Sequence, residues 1–519
     1  MVVVEELLRE LRERRKRALE GGGREKIERQ RAKGKLLARE RIELLVDPGS
    51  FEELEWLTTH HATTFGLDKQ KYYGDGVVVG YGRVDGRLVY IFSQDFTVMG
   101  GSIGLSHARK IARVIRMALQ AGVPVIGIFD SGGARIQEGV VALHGVGEIF
   151  SAIIDASGVI PQIAVMAGPC AGGAAYAPAL MDFVIVVDKI SYMFVTGPDV
   201  VRQVTGEEVS FEQLGGARVH SSISGVAHFR AENEEEAMAI VRRLLSYLPD
   251  NYLATPPIVD TGDPPEREDP ELESIVPTDP MKPYDMREVL ERVFDRGSLL
   301  EVQAEWGTSI ITAFARLAGY PVCIVANQPA YQAGAIDCNA AVKAARFIRF
   351  CDAFNLPLIM FVDVPGYMPG VEQEHGGIIR HGAKMLYAYK EATVPKITVI
   401  VRKAYGGAYI AMGSKALGAD IVYAWPTAEI AVLGPEAAVR IIYKRELAKK
   451  KGVEVEEEVK KLAAEYRKLF ANPYYAAEYG LVDDVIEPRK TRYKLYRALQ
   501  ALLPKREQRF EKKHGNIPL

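Results

Sequence analysis

Cysteine is scarce in this chain of 519 residues: there are four, Cys170, Cys323, Cys338 and Cys351. No two stand as Cys-x-x-Cys, which argues against a zinc ribbon or a dithiol redox centre. A reducing, cytoplasmic compartment fits this usage. Long apolar runs are missing. No stretch reaches the roughly 18 residues that span a bilayer. The opening "MVVVEELLRELRERRKRALEGGG" breaks its valines with charge and does not read as a signal peptide. An excess of one charge is lacking too. A formal net charge of -2 gives no reason to expect nucleic acid or an anionic membrane as the main partner. "FDSGGAR" contains a serine but is not a Gly-x-Ser-x-Gly elbow. "GYGRVDG" has neither the helix nor the placed acidic residue of a dinucleotide site. His107, His144, His375 and His381 are not spaced as metal ligands, so no metal is expected. His375 and His381 flank Gly376 and Gly377, and surface or core roles suit them best.

What is present is an ordinary balance, 48% hydrophobic and 25% charged, in a chain too long for one core. It contains an internal repeat. "PQIAVMAGPCAGGAAYAPAL" from Pro161 resembles "PKITVIVRKAYGGAYIAMGS" from Pro395, an offset of 395 − 161 = 234. Gly172 and Gly406 share it, at 406 − 172 = 234. Asp130 in "VPVIGIFDSGGAR" matches Asp363 in "LPLIMFVDVPGYMPG" at 363 − 130 = 233. "TGPDVV" from Thr196 matches "LGPEAA" from Leu433 at 433 − 196 = 237. Four landmarks in order and nearly in register indicate a tandem duplication. Between the halves lies "ATPPIVDTGDPPEREDPELESIVPTDPMKPYD", rich in proline and acid, which predicts an extended connector over residues 254–285. The domains are then 1–253 and 286–519. In each, short β-branched runs alternate with segments of helical period, as in "SHARKIARVIRMALQAG", so the fold class is α/β with buried strands.

A strand that runs through Gly-Gly into a helix bares backbone N–H groups, and glycine lets a ligand approach them closely. The helix N-terminus adds partial positive charge. A phosphate site would carry lysine beside the glycines. "CAGGAAYAPAL" has no basic residue, and "KAYGGAYIAM" has only Lys403 before the loop. Small apolar neighbours suit an acyl group or a flat ring. The bland alternative, glycines for tight packing, would win for one loop; two matched copies favour a pair of sites for developing oxyanions.

At this point the residues resemble a known family. "KGKLLARERIELLVDPGSFEE" from Lys33, "GDGVVVGYGRVDGR" from Gly74, "DSGGARIQEGV" from Asp130, "GPCAGGAAYAPALMDF" from Gly168 and "RKAYGGAYIAMGSK" from Arg402 look like the carboxyltransferase subunits of biotin-dependent acyl-CoA carboxylases. The propionyl-CoA carboxylase β type is the nearest match, and the resemblance covers nearly the whole chain. It implies two crotonase-like domains, the first on the acyl-CoA side and the second on the biotin side. It implies a homohexamer of stacked trimers, with active sites between the N domain of one subunit and the C domain of another. Gly172 and Gly173 are similar to the oxyanion donors for the thioester enolate, and Gly407 and Ala408 to those for the biotin ureido oxygen. Gly132, Gly133, Ala134, Arg135, Tyr176, Gly406 and Ile410 are the substrate-binding positions the resemblance points to.

The implied chemistry is substrate-assisted: carboxybiotin releases CO2, the biotin anion takes the α proton, and the enolate attacks CO2. No biotin-attachment signature occurs, since "PMKPYD" lacks the flanking Ala and Met. Biotin must arrive on a biotin carboxyl carrier protein, loaded by a biotin carboxylase. Alternatives within the resemblance are the carboxyltransferase of a sodium-pumping methylmalonyl-CoA decarboxylase, with a membrane involved only indirectly, and a methylcrotonyl- or geranyl-CoA carboxylase subunit. A non-catalytic acyl-CoA scaffold would be favoured only if the second Gly-Gly loop were missing.

Overall fold

The β-branched runs of each half become the inner strands of a sheet. In a computed structural model describing residues 2–519, the chain divides into two compact units, Met1–Ala254 and Thr255–Leu519. The strands of the first are β1 (Glu52–Leu54), β2 (Val77–Val84), β3 (Arg87–Gln94), β4 (Val125–Ser131), β5 (Gln162–Ala171), β6 (Phe183–Val187), β7 (Tyr192–Phe194) and β8 (Phe229–Ala231). Their order is β1-β2-β3-β4-β5-β6-β8, with β7 added to the end of β5. The pairs β1–β2 and β2–β3 are antiparallel; from β3 onward all are parallel. Inner strands such as β4 and β6 are buried along their length, which is why they read as unbroken apolar runs rather than as alternation.

The second unit repeats this arrangement. Its strands are β9 (Leu300–Val302), β10 (Ile310–Leu317), β11 (Tyr320–Asn327), β12 (Leu358–Val364), β13 (Lys396–Tyr405), β14 (Ile421–Ala424), β15 (Glu429–Ala431) and β16 (Asp484–Val485). The sheet order is β16-β14-β13-β12-β11-β10-β9, with β15 on β13. In the first unit the helices Leu105–Ala121 and Val140–Ala156 bury Ile111, Ile115, Ile149 and Ile153 in the sheet's core. The helices Cys338–Ala353 and Ile378–Glu391 stand at the matching places in the second.

The segment 254–285 is more structured than an extended connector. It carries a helical turn at Leu272–Ile275, and Leu272 and Val276 sit in the core of the second unit. Carbonyls of Pro257, Pro277, Asp279 and Lys282 accept from Arg316 and Arg402 of the same unit. Sequence hid this because the apolar anchors are spaced without period. The cysteines also differ from expectation. A reducing compartment implies free thiols, yet buried Cys323 on β11 is bonded to buried Cys351 on the helix Cys338–Ala353. Cys170 and Cys338 are free.

Candidate functional site

Each site begins at a fault in the sheet. The register of β4 on β5 shifts between Phe129 and Ser131, and that of β12 on β13 between Val362 and Val364. The residues at the two shifts are Asp130 and Asp363, both fully buried. Lys35 and Arg41 pair with Asp130 at 2.7 and 2.9 Å, and Gln30 Nε2 donates to it at 3.1 Å. Arg402 and Lys403 pair with Asp363 at 2.9 and 3.2 Å, and the Tyr284 hydroxyl donates to it at 2.9 Å. The Asp130 N–H donates to Gln94 Oε1 and the Asp363 N–H to Asn327 Oδ1. Paired in this way, the carboxylates leave no buried charge uncompensated. Burial, reinforced by Asp363, raises the Tyr284 hydroxyl well above its usual range, so it stays a neutral donor. The repeat marked both aspartates in the sequence. Their partners escaped notice because Lys35, Arg41 and Tyr284 lie far away along the chain.

After each aspartate the chain turns into a loop that lies beside the Gly-Gly turn. Ala134 bridges to Ile103 and Tyr367 to Ile336, and 367 − 134 = 233 confirms the match. Gly133 has φ 102° and Gly366 φ 151°. A Cβ on Gly133 would stand 2.8 Å from the Ala171 carbonyl. Gly133 is thereby brought against the start of the Gly172 turn, while the Gly132 N–H donates to the Gly100 carbonyl and Ala134 pairs with Ile103. Arg135 turns away. Its buried guanidinium donates to Asp75 at 2.7 Å, to Glu138 at 2.9 Å and to the Ser102 carbonyl at 2.8 Å. Asp75 also accepts from the His107 N–H at 3.0 Å. Arg135 therefore fastens the loop from beneath rather than facing the space above it. At the offset of 233 the second unit has uncharged Met368, Thr308 and Ala340 in place of Arg135, Asp75 and His107.

The Gly-Gly turns grow from the ends of β5 and β13. Ala171 is extended, Gly172 has φ 63°, and a short turn Gly172–Ala175 leads into the helix Tyr176–Leu180. Tyr405 is extended, Gly406 has φ 60°, and the helix Gly406–Ala411 follows. The first N–H groups of a helix have no acceptor within it. The shared left-handed conformation pairs Gly172 with Gly406, Gly173 with Gly407 and Ala174 with Ala408. The donors inferred from sequence, Gly172–Gly173 and Gly407–Ala408, are thus one residue out of step between copies. The space above is open: a Cβ on Gly172 would find only the Val195 carbonyl at 3.9 Å, and one on Gly407 only Tyr367 at 4.0 Å. Tyr176 is half exposed, with its ring set edge-on to Phe150. Ile410 is 41% exposed, one helical step beyond Ala408. Such a turn can hold an oxygen that gains negative charge, by backbone donation and the helix field. Among the described residues no group of three or more His, Cys, Asp or Glu could hold a metal.

One further matched pair escaped the sequence reading. Lys110 and Lys343, at 343 − 110 = 233, are both buried. Lys110 Nζ donates to the carbonyls of Gly74 and Val77. Lys343 Nζ donates to those of Gln303, Trp306 and Ile310 at 2.9, 2.9 and 2.7 Å. Each ties the turn before β2 or β10 to a core helix. The shared offset was the available signal.

The fold is thus a duplicated α/β frame with a Gly-Gly turn, leading into a helix, at the same station in each copy. The chain belongs to the carboxyl transferase family, whose domain matches residues 29–517. It is 55% identical over the full length of both chains to the propionyl-CoA carboxylase carboxyltransferase subunit of Haloferax mediterranei. It is 56% identical, again over the full length of both, to the methylmalonyl-CoA decarboxylase α subunit of Veillonella parvula. Among solved structures, a transcarboxylase 12S hexamer with methylmalonyl-CoA bound matches with TM-score 0.95 and 50% identity, over 99% of this chain and 98% of that one. The fold is the two-domain crotonase-like carboxyltransferase fold.

Proposed function

We propose that this chain is the carboxyltransferase component of a biotin-dependent short-chain acyl-CoA carboxylase, moving carboxylate onto the α carbon of propionyl-CoA, and in part of acetyl-CoA, to give methylmalonyl-CoA. The observation that carries this reading is the repeated turn: one reaction develops an anion on each of two partners, and the chain offers one donor turn to each. The turn at Gly172–Gly173 receives the thioester oxygen. The turn at Gly407–Ala408 receives the ureido oxygen of biotin, and the room above Gly407 fits a flat group. When bound, carboxybiotin supplies the CO2 and the base. The residues of this chain hold the two oxygens by backbone donation. That division accounts for the lack of a side-chain acid or base at either turn.

Biotin comes on a carrier protein, loaded by a separate biotin carboxylase, and the working form is a homohexamer in the cytoplasm. The relative from Haloferax mediterranei and the hexameric transcarboxylase support this. The purified protein mixed with methylmalonyl-CoA and free biotin should release propionyl-CoA slowly, since a tethered carrier's effective concentration is lost. It should not carboxylate propionyl-CoA from ATP and bicarbonate alone. Absence of biotin-dependent release from the intact oligomer overturns the proposal. The full-length likeness to the Veillonella parvula subunit favours a second reading, the same transfer run as decarboxylation. Co-purification with a biotin carboxylase or with a membrane decarboxylase separates the two.

A further inference from the structure

The two turns differ in the wall beside them. In the first unit a Cβ on Gly173 would lie 3.7 Å from Val146 Cγ1, on the helix Val140–Ala156, and no side chain of the loop opposite comes within 4 Å of it. In the second unit the place of Ala134 is taken by Tyr367. Its ring edge stands 4.0 Å from the position a Gly407 Cβ would hold. The ring lies in a notch cut by Gly382: a Cβ there would approach Tyr367 Cε1 to 2.8 Å. The hydroxyl reaches the Gly382 carbonyl at 3.3 Å. The ring is half-buried, so one part is anchored against the helix Ile378–Glu391 and another is left toward the turn. At the matched positions Gly173 and Gly407 the nearest neighbour is thus an aliphatic side chain in one copy and an aromatic ring in the other.

We infer that Tyr367 is a specificity-determining residue whose ring flanks the planar ureido ring of the carboxyl carrier at the Gly407 turn, while aliphatic Val146 beside Gly173 suits the first turn to a short alkyl chain. A planar ring bearing N–H groups gains from an aromatic neighbour through stacking and N–H···π contact, which a saturated acyl chain does not. Gly382 has a stated purpose in this picture, which is room for the ring. The inference rests on the biotin reading of the second turn.

The test is steady-state transfer from methylmalonyl-CoA to free biotin by the intact oligomer. Tyr367→Ala should raise KM for biotin about tenfold and leave KM for methylmalonyl-CoA within about twofold, the order expected for one lost ring contact. Tyr367→Phe, which keeps the ring, should recover most of that loss. Gly407→Val, run alongside, separates the two layers of the argument. If Gly407→Val impairs biotin use and Tyr367→Ala does not, the inference about Tyr367 falls and the proposed function stands. If folded Gly407→Val also leaves biotin use unchanged, the second-turn reading falls and takes this inference with it. A rise in KM for methylmalonyl-CoA alone also overturns it. Should Tyr367→Ala fail to fold, Gly382→Ala decides: a displaced ring raises KM for biotin, and an unchanged KM refutes the role.

Discussion

Gly407→Val separates function from stability more cleanly than any other change in the chain. Gly407 lies in the first turn of the helix Gly406–Ala411 and, unlike Gly406, has no positive φ. Its nearest neighbour to a new Cβ is Tyr367 at 4.0 Å, ordinary contact distance. Backbone strain is therefore absent. Losing a glycine from a helix gains about 0.5–1 kcal/mol, and β-branching takes back a comparable few tenths. The net change in stability should lie within about 1 kcal/mol of zero, a shift of roughly 2–4 °C at most in the melting midpoint. The function should respond differently. The valine branches occupy the space where the acceptor oxygen would sit, and loss of one such donor contact costs a factor of roughly 100–1000 in rate, or about 2.7–4 kcal/mol.

Two measurements test this. Circular dichroism melts should overlay those of the wild type within the stated few degrees. Transfer from methylmalonyl-CoA to free biotin should fall by at least about a hundredfold, with KM for the CoA ester nearly unchanged. Gly406→Val is the contrasting control: φ of 60° and a Val432 carbonyl 3.3 Å from the new Cβ make it a folding variant. A folded Gly407→Val protein that transfers at the wild-type rate refutes the assignment. A melt lowered by more than about 10 °C refutes the geometry, because the site would not be open as described.

Three further outcomes are expected. Propionyl-CoA should be turned over with kcat/KM at least equal to that of acetyl-CoA, since apolar Val146 beside the first turn adds roughly 1–3 kcal/mol per methylene; comparable kcat/KM for palmitoyl-CoA would contradict a short acyl site. Lys343→Met should lower the melting temperature by removing the donor shared by the Gln303, Trp306 and Ile310 carbonyls, at a cost of about 2–4 kcal/mol; an unchanged melt means the carbonyls find water instead. His107 should set an acid limb of stability. Burial, then Arg135, holds it well below its usual value of 6.5, so the unfolded chain binds the extra proton as pH falls below that point. Stability should decline there by up to about 1.4 kcal/mol per pH unit, and His107→Gln should flatten the slope. Of its other neighbours, Lys110, lowered by burial to about 8, keeps its charge over this range and Gln94 does not titrate, while the buried Asp75 carboxyl, raised by desolvation, works in the opposite direction.

The duplication was legible because it left landmarks that are local in sequence: a Gly-Gly turn, an aspartate after an apolar strand, and a proline before one. Those features fix the central strands β3–β6 and β11–β14 and the helices between them, since buried parallel strands read as plain apolar runs. The antiparallel flanks β1–β2 and β9–β10 were not legible. β1 and β9 have only three residues each, and β2 is interrupted by Gly80 and Gly82. Nor were the clamps on Asp130 and Asp363, whose cations come from opposite directions along the chain, Lys35 and Arg41 before one, Arg402 and Lys403 after the other. The same carboxylate at the same sheet fault is thus held by unrelated partners. That is informative about what the fold requires: a charge-neutralised aspartate under each turn, from any source. The loops above those aspartates have meanwhile diverged, with Arg135, Asp75 and His107 under one and Met368, Thr308 and Ala340 under the other, Ala134 beside one and Tyr367 beside the other. Two copies needed only for packing would have no reason to keep their turns alike and their walls different. Two copies whose matched Gly-Gly turns each serve a chemically different partner, as proposed, would.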